Sequence, residues 1–357
     1  MTTQELDQTK VEAFAGQMVG ILNNGMLALM TSVGHRTGLF DTMAEMRPAT
    51  SEEIAKKTAL NERYVREWLG AMVTGRIVEY DPDRGTYRLP PEHAASITRA
   101  AGPGNLAVLT QFVSLLGNVE DGIVESFRNG GGVPYEKFPK FQQLMAQMSG
   151  QIFDATLLDV TLPLVPGLVK RLESGIDVAD TACGSGHAIN LMAKAFPNSR
   201  FVGYDFSKEG VATGAAEAET LGVKNARFEA KDIATLDGTA QFDLITTFDA
   251  IHDQAQPARV LKGIYDSLRP GGTYLCVDIA ASSKLHENME HPLAPGMYSI
   301  STFHCMTVSL ALGGEGLGNM WGEQRAVEML GEAGFRDVEV KKVEGDIFNS
   351  YYVARKG

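Results

Sequence analysis

Cysteine, aromatic residues and positive charge are all scarce in this sequence. Its 357 residues include three cysteines, too few for a disulfide framework, and none forms a CxxC pair of the kind that binds zinc. A reducing compartment, the cytoplasm, is therefore expected. The 32 Lys and Arg residues against 44 Asp and Glu give a net charge of −12, which disfavours nucleic acid and anionic membranes as partners.

Targeting and membrane signals are also missing. The opening MTTQELDQTK has acids and amides but no basic stretch before an apolar run, so no signal peptide is expected. Polar residues at 17, 23 and 24 interrupt the apolar stretch 11–30, which falls short of the roughly 18 apolar residues that a membrane span needs. What is plentiful is hydrophobic residues, 44%, enough to build the cores of two domains.

The first 93 residues combine helical patterns with one hairpin. Apolar residues recur at helical spacing over residues 11–27, which predicts a first helix with a broad apolar surface that needs a partner. Thr50 and Asn61 are N-cap residues for two later helices, and residues 81–85 form the turn between two short strands. Three helices followed by a hairpin is the order of a winged-helix domain.

The remaining chain divides into a helical connector and an α/β region. Residues 94–170 are helical and rich in Met, and we expect them to cover a site. Residues 171–357 alternate strands with helices and close on a hairpin, which predicts a mostly parallel, Rossmann-like sheet of seven strands. The fold class is thus α/β with an N-terminal all-α, winged-helix domain, and ligands are expected at the carboxyl ends of the strands.

A glycine-rich turn joins the first strand of the α/β region to its helix. This glycine loop, DTACGSG at residues 180–186, lets a ligand approach the backbone at a helix N-terminus. Nineteen residues past Gly186, Asp205 ends the next strand, where a carboxylate can accept both hydroxyls of a ribose. The third glycine of a dinucleotide motif would fall on Ile189, so a pyrophosphate fits poorly and a simpler nucleoside is favoured.

The glycine loop resembles the DxGxGxG motif of class I S-adenosylmethionine-dependent methyltransferases, with Ala182 in place of the first glycine. The segments KDI at 231–233 and LRPGG at 268–272 also fall where that family has them. The resemblance implies S-adenosylmethionine as cofactor and S-adenosylhomocysteine as product. The cofactor-binding residues that it implies are Asp180, Ala182, Gly184, Gly186, Asp205, Phe206, Asp232, Ile233, Phe248 and Asp249.

The domain order resembles bacterial and plant winged-helix O-methyltransferases that act on small molecules. In that family a His-Asp pair after the fourth strand supplies the catalytic base, and His252 with Asp253 matches it. Asp278, at the end of the fifth strand, matches an acid that orients the histidine. Two positions differ from the family: the second orienting acid has only the displaced Glu323 as a candidate, and Gln254 replaces a tryptophan. The alternative for His252 is a helix-cap histidine without a catalytic task.

The methyl acceptor is left open by the sequence. We expect a small apolar or aromatic metabolite, with O-methylation favoured and S-, N- or C-methylation possible. Residues 284–322 form an insert, and Pro292 and Pro295 predict loop there; its irregularly spaced His and Cys residues predict no metal site. The candidates for the acceptor pocket are Met148, Met297, His304, Met306 and Trp321.

A transcriptional regulator with a ligand-sensing, vestigial methyltransferase domain is the alternative function. The helix that would read DNA begins at Asn61 and pairs each arginine with a glutamate, so it lacks a basic stripe. In the resembled family this domain instead forms the homodimer and covers the acceptor site. We therefore expect a homodimeric enzyme with a small-molecule acceptor and neither nucleic acid nor membrane as partner.

Overall fold

A computed structural model describes residues 6–357, which form two compact units that meet in sequence at Gly117 and Asn118. Residues 1–5, part of the segment in which no signal peptide is predicted, lie outside the described residues. The predicted division into residues 1–93, 94–170 and 171–357 stays a prediction. The break after Gly117 divides the chain into compact units and does not report which function each segment has.

The N-terminal unit is a helical domain with a two-stranded wing. Tyr80 pairs with Tyr87 in its antiparallel hairpin, and Thr50 forms a capping box with Glu53. The predicted winged-helix order is therefore confirmed. The elements are α1 (Gln8–Thr37), α2 (Leu39–Ala44), α3 (Ser51–Thr58), α4 (Glu62–Thr74), β1 (Glu79–Asp81), β2 (Thr86–Arg88), α5 (Pro91–Ile97) and α6 (Gln111–Gly117), with 3-10 turns at Arg99–Gly104 and Leu106–Thr110.

Helix α1 is long, and many of its apolar side chains are exposed. By length and composition it could cross a membrane, since its mean hydropathy reaches 1.2 over an 18-residue window. The polar residues in this segment were expected to prevent that. Within this chain none of that window is buried. Length and composition do not separate a span from a helix that packs on another protein. The exposed apolar side chains are Val11, Phe14, Met18, Val19, Ile21, Leu22, Met26 and Val33.

The C-terminal unit contains the predicted seven-stranded sheet, in the order β5-β4-β3-β6-β7-β9-β8. The first five strands in that order are parallel, and β9 is antiparallel to both neighbours. The elements are α7 (Glu120–Asn129), α8 (Phe141–Thr156), α9 (Leu168–Ser174), β3 (Asp177–Thr181), α10 (His187–Ala195), β4 (Arg200–Asp205), α11 (Lys208–Leu221), β5 (Ala226–Ala230), β6 (Phe242–Phe248), α12 (Pro257–Ser267), β7 (Leu268–Ile279), α13 (Ala294–Ile300), α14 (Met306–Ala311), α15 (Gly322–Ala333), β8 (Asp337–Lys341) and β9 (Asn349–Arg355).

Two apolar cores lie on the two faces of this sheet. Successive residues of a strand point to opposite faces. Val178 and Leu244 accordingly belong to one buried cluster, and Ala179 and Ile245 belong to the other. Because the central strands are covered on both faces, their carboxyl ends form the edge at which polar residues can meet a ligand.

The loop predicted for the insert 284–322 is wrong at Pro295 and over residues 294–311, which are helical, whereas Pro292 does lie in a turn. The insert contains a 3-10 turn at Leu285–Asn288, helices α13 and α14, and between them a π-helical turn at Ser301–Cys305. Pro295 lies in the first turn of α13, where the missing backbone N–H breaks no helical hydrogen bond. The proline therefore starts a helix here instead of preventing one.

Gly34 tests the packing of α1 against the core of the N-terminal unit. A Cβ at this position would lie 2.6 Å from the ring of Trp68 and 2.7 Å from that of Phe40, whereas a Cβ at Gly16 in the same helix would meet nothing within 4 Å. We expect Gly34→Ala to lower the free energy of unfolding by about 1–3 kcal/mol. Gly16→Ala should leave it unchanged or raise it by up to about 1 kcal/mol.

The measurement is urea unfolding of the full chain, followed by circular dichroism. Equal stability of the two variants would contradict the close packing at Gly34.

Candidate functional site

Two carboxylates lie at the carboxyl ends of the neighbouring strands β3 and β4. Asp180 and Asp205 are both buried. The hydroxyl of Thr246 donates to Asp180 over 2.7 Å, while Asp205 accepts the backbone N–H groups of Gly184 and Ser207, each over 2.8 Å. Burial raises the pKa of Asp180 to about 7 and also raises the pKa of Asp205. This pair favours a ligand that brings a positive charge or hydrogen-bond donors.

The glycine loop connects these carboxylates to α10. Ala182, Gly184 and Gly186 have φ of 60°, 55° and 75°. A Cβ at Gly186 would lie 2.3 Å from the ring of Phe228, so this position requires glycine; a Cβ at Gly184 would meet nothing within 4 Å. A glycine adopts this left-handed conformation without steric cost. Ala182 adopts it too, despite its Cβ. The loop therefore keeps its turn despite the missing glycine and leaves space beside Gly184.

His252 and Asp278 form a buried pair at the ends of β6 and β7. Nδ1 of His252 lies 2.6 Å from Oδ1 of Asp278, and the indole N–H of Trp321 donates to the same oxygen over 3.3 Å. Burial lowers the pKa of His252, but the Asp278 carboxylate and the neighbouring Cys305 thiol together raise it well above its ordinary value. Nδ1 is held by Asp278 and the ring also interacts with the thiol of Cys305, so Nε2 is the nitrogen that no carboxylate holds.

Two further carboxyl groups lie close to this pair. Asp249 is half-buried, and in the described part of the chain its buried Oδ1 has no hydrogen-bond partner. Burial raises the pKa of Asp249 to about 7 and the pKa of Asp253 to about 6. Asp249 also lines a cavity of about 30 Å³ with Phe153, Phe248 and Tyr351. This end of the sheet thus carries more negative charge than the side chains around it compensate.

The residues predicted for the adenine side differ in exposure. Asp232 is exposed, and its carboxylate accepts the backbone N–H of Ala234 over 2.9 Å. Phe206 is 60% exposed and contacts the ring of Tyr135. Ile233 instead belongs to the buried core beneath. Asp232 and Phe206 are accessible to a ligand, whereas Ile233 stabilises the turn that carries them.

Glu323, the candidate for a second orienting acid, does not reach the histidine pair in this structure. It forms an ion pair with Lys342 and accepts a hydrogen bond from the hydroxyl of Ser350 over 2.8 Å. Asp278 is held by Trp321 instead, a residue predicted only to line the acceptor pocket. Nothing in the sequence pattern indicated this second role, because the indole reaches Asp278 through the tertiary fold.

The predicted pocket residues lie in α8 and in the insert. Met297, His304 and Trp321 are buried, while Met148 and Met306 are half-buried. Among residues 6–357, no group of three or more His, Cys, Asp or Glu side chains has the arrangement of a metal site. The insert therefore supplies apolar and aromatic surface together with one buried histidine.

His187, the first residue of α10, is a site residue that the sequence reasoning missed. Its Nδ1 lies 2.6 Å from Glu217 and its Nε2 lies 2.9 Å from Asp154 on α8. At the other end of α8, the hydroxyl of Ser207 donates to Gln142 over 3.1 Å. Helix α8 is thus tied at both ends to the elements that carry the cofactor-binding candidates. His187 directly follows the glycine loop, but its partners lie more than 29 residues away in sequence.

Comparison with known families assigns both units. The family model "Rv2258c-like winged HTH domain" matches residues 25–99, and the model "Methyltransferase domain" matches residues 172–334. Among curated proteins, the erythromycin 3''-O-methyltransferase of Saccharopolyspora erythraea is 25% identical over 183 residues, which is 50% of this chain and 57% of that protein. The chain spans about half the length of the curated relatives it matches.

Solved structures resemble the whole chain. The human N-acetylserotonin methyltransferase in complex with S-adenosylmethionine superposes with a TM-score of 0.68 at 18% identity, covering 100% of both chains. The mitomycin 7-O-methyltransferase MmcR gives 0.69 at 16% identity, covering 97% of this chain and 99% of the other. At such low identity the likeness concerns the fold. The chain is therefore a two-domain protein in which a winged helix-turn-helix domain precedes a methyltransferase domain of the class I fold.

Proposed function

We propose that this protein is an S-adenosylmethionine-dependent methyltransferase that acts on a small acceptor. The observation that carries this proposal is the pair of buried carboxylates, Asp180 and Asp205, at the carboxyl ends of adjacent strands beside the open turn at Gly184. A sulfonium cofactor is a cation with an amino group and two ribose hydroxyls, so it supplies the positive charge and the donors that these carboxylates favour.

The residues present fit such a cofactor. Asp205 uses one lone pair of each oxygen for backbone N–H groups and keeps the others for ribose hydroxyls. The N-terminus of α10, which directly follows the glycine loop, offers N–H groups to a carboxylate. Asp232 is accessible to an adenine amino group, and Phe206 to the face of a ring. When bound, the cofactor supplies an activated methyl group, so positioning and exclusion of water do most of the catalytic work.

His252 is the proposed general base for an oxygen acceptor. Asp278 fixes the ring through Nδ1 and so directs Nε2 to receive the acceptor's proton. Proton uptake requires a neutral imidazole, whereas Asp278 alone favours the charged form. A cation held at Asp180 and Asp205 opposes that charge and lowers the pKa of His252. Cofactor binding thereby prepares the base, and S-, N- and C-methylation remain the alternatives when an acceptor needs no such proton transfer.

The regulator alternative has weaker support. In α4 the guanidinium of Arg63 pairs with Glu67 and that of Arg66 pairs with Glu62. A helix whose arginines are neutralised in this way offers little to a phosphate backbone. The net charge of −12 acts in the same direction. We accordingly propose a cytoplasmic enzyme without a nucleic-acid or membrane partner.

Titration calorimetry with S-adenosylmethionine and S-adenosylhomocysteine tests the cofactor assignment. Wild-type protein should bind both with micromolar affinity and should not bind NAD, because the loop fits a pyrophosphate poorly. Asp205→Ala should abolish binding by removing the ribose acceptor. Asp237→Ala, an exposed acid near Lys231, is the matched control and should bind as wild type does.

His252→Ala should still bind the cofactor, with an affinity equal to or above that of wild type because a positive charge is removed, and should lower turnover by about a hundredfold for an acceptor that must be deprotonated. A wild-type protein that binds neither cofactor form would overturn the proposal.

The origin of the raised pKa of His252 can be measured directly. Asp278→Asn removes the carboxylate that raises it and leaves burial, which lowers it, so the pKa of His252 should fall. The acid limb of the turnover profile should move to lower pH, and maximal turnover should fall because the ring loses its orientation. Histidine NMR titration of the full chain measures the first effect.

Trp321→Phe is the control for this substitution, because it removes only the N–H donor to Asp278 and leaves the carboxylate. An Asp278→Asn protein whose His252 titrates at or above the wild-type pH would contradict the assignment.

We further propose that α1 pairs two copies of the chain. Its apolar side chains are exposed along most of the helix, and covering them against an identical surface removes them from water. Light scattering during gel filtration should give a dimer for the wild type. Ile21→Glu should give a monomer, whereas Gln17→Glu adds the same charge at a polar position and should remain dimeric. A monomeric wild type would rule out this pairing.

A further inference from the structure

His304 is a fully buried histidine without a hydrogen bond. In the part of the chain that the structure describes, neither Nδ1 nor Nε2 of its ring has a partner. Such a group loses its hydrogen bonds to water on folding and gains none in return. It lies in the π-helical turn Ser301–Cys305, an irregularity that is frequent at functional sites. Burying a histidine without hydrogen bonds destabilises the folded protein. Its presence here indicates that a ligand supplies the missing hydrogen-bond partners.

Aromatic rings surround this imidazole. Phe141 stacks on it with centroids 3.5 Å apart and planes 11° apart, and Phe138 and Tyr135 contact it edge to face at 4.8 and 5.7 Å. The N–H and the lone pair of an imidazole lie in the plane of its ring. A hydrogen-bonding partner must therefore approach along that plane, between the surrounding rings. We call Tyr135, Phe138, Phe141 and His304 the aromatic box.

The two histidines of this region differ in charge. Burial, together with the nearby charge of His252, lowers the pKa of His304 to about 3. His304 therefore stays neutral and offers one N–H donor and one acceptor nitrogen. His252, beside Asp278, takes up a proton readily. One histidine is suited to proton transfer and the other to recognition by hydrogen bonds.

The aromatic box is continuous with the proposed cofactor site. Tyr135 contacts Phe206 edge to face at 5.4 Å, and Phe206 follows Asp205 directly. Phe206 is 60% exposed, so the row of rings leads from the surface to the buried His304. Flat aromatic side chains pack well against a planar ligand. The surroundings of His304 thus match a planar molecule that carries a polar group in its own plane.

We propose, on the basis of the methyltransferase function proposed above, that His304 is a specificity residue: it recognises a second polar group on a planar aromatic acceptor bound in the aromatic box. The hydroxyl next to His252 is the one that is methylated. Its oxygen forms the bond to the methyl carbon, the carbon–sulfur bond breaks with its electron pair left on sulfur, and the hydroxyl proton passes to Nε2 of His252. His304 exchanges no proton and positions the acceptor through the second group.

Matched probes separate this role from simple packing. The probes are 2-naphthol, with one hydroxyl, and 2,3-, 2,6- and 2,7-dihydroxynaphthalene, which place a second hydroxyl at three distances. Binding to full-length protein saturated with S-adenosylhomocysteine is measured by calorimetry. At least one diol should bind the wild type about tenfold more tightly than 2-naphthol, the worth of one neutral hydrogen bond.

Two variants of His304 complete the test. His304→Phe keeps the stacked ring and removes both nitrogens, so it should bind 2-naphthol as wild type does and lose the tenfold preference for the diol. Its thermal stability should equal or exceed that of wild type, because no polar atom is left unpaired. His304→Asn retains one donor and one acceptor and should restore part of the preference.

Each failure has a distinct meaning. A diol preference that persists in His304→Phe, a wild type without any preference, or a wild type that binds no probe would overturn the role of His304, with binding of S-adenosylhomocysteine still intact. A loss of affinity for 2-naphthol equal to that for the diol would assign His304 to packing alone. Absence of S-adenosylhomocysteine binding in the wild type would instead overturn the proposed function.

Discussion

Burial of carboxyl groups at one edge of a parallel sheet is the constraint on which the rest of this site depends. Asp180, Asp205 and Asp278 are buried and Asp249 is half-buried at the ends of neighbouring strands. Hydroxyl, backbone, imidazole and indole donors stabilise the three buried ones, whereas one oxygen of Asp249 and one of Asp278 have no hydrogen-bond partner among the described residues. Such crowding of negative charge is costly for the empty protein and favours a cationic ligand.

Local patterns predicted the sheet and the glycine loop well, since alternation, turn residues and the position of Asp205 depend on residues close together in sequence. The insert was harder, because Pro295 permits a helix to begin as readily as it ends one. The partners of His187, and the indole that donates to Asp278, could not be predicted from local patterns. Trp321 reaches Asp278 from 43 residues away, a contact that only the tertiary fold creates.

Environment, and not residue type, separates the tasks of the two buried histidines. His252 has a carboxylate on one nitrogen, whereas His304 is packed among aromatic rings and, among the described residues, neither of its nitrogens has a hydrogen-bond partner. The resemblance to a family predicted an orienting acid, Asp278, for His252, whereas for His304 the sequence indicated only a place in the acceptor pocket. The positive charge of His252 lowers the pKa of the nearby His304 and so helps to keep it neutral. The protonation states of the two histidines are therefore coupled.

The hydrogen bonds near the two ends of helix α8 affect how fast a ligand beside it can exchange. Hydrogen bonds to Ser207 near one end and to His187 near the other fasten α8 to the strand end and to the helix that flank the glycine loop. We expect these polar contacts to slow the exchange of any ligand that lies between α8 and the glycine loop, because such a ligand leaves only when the helix moves away. Contacts outside the binding surface would then contribute to how long a ligand stays.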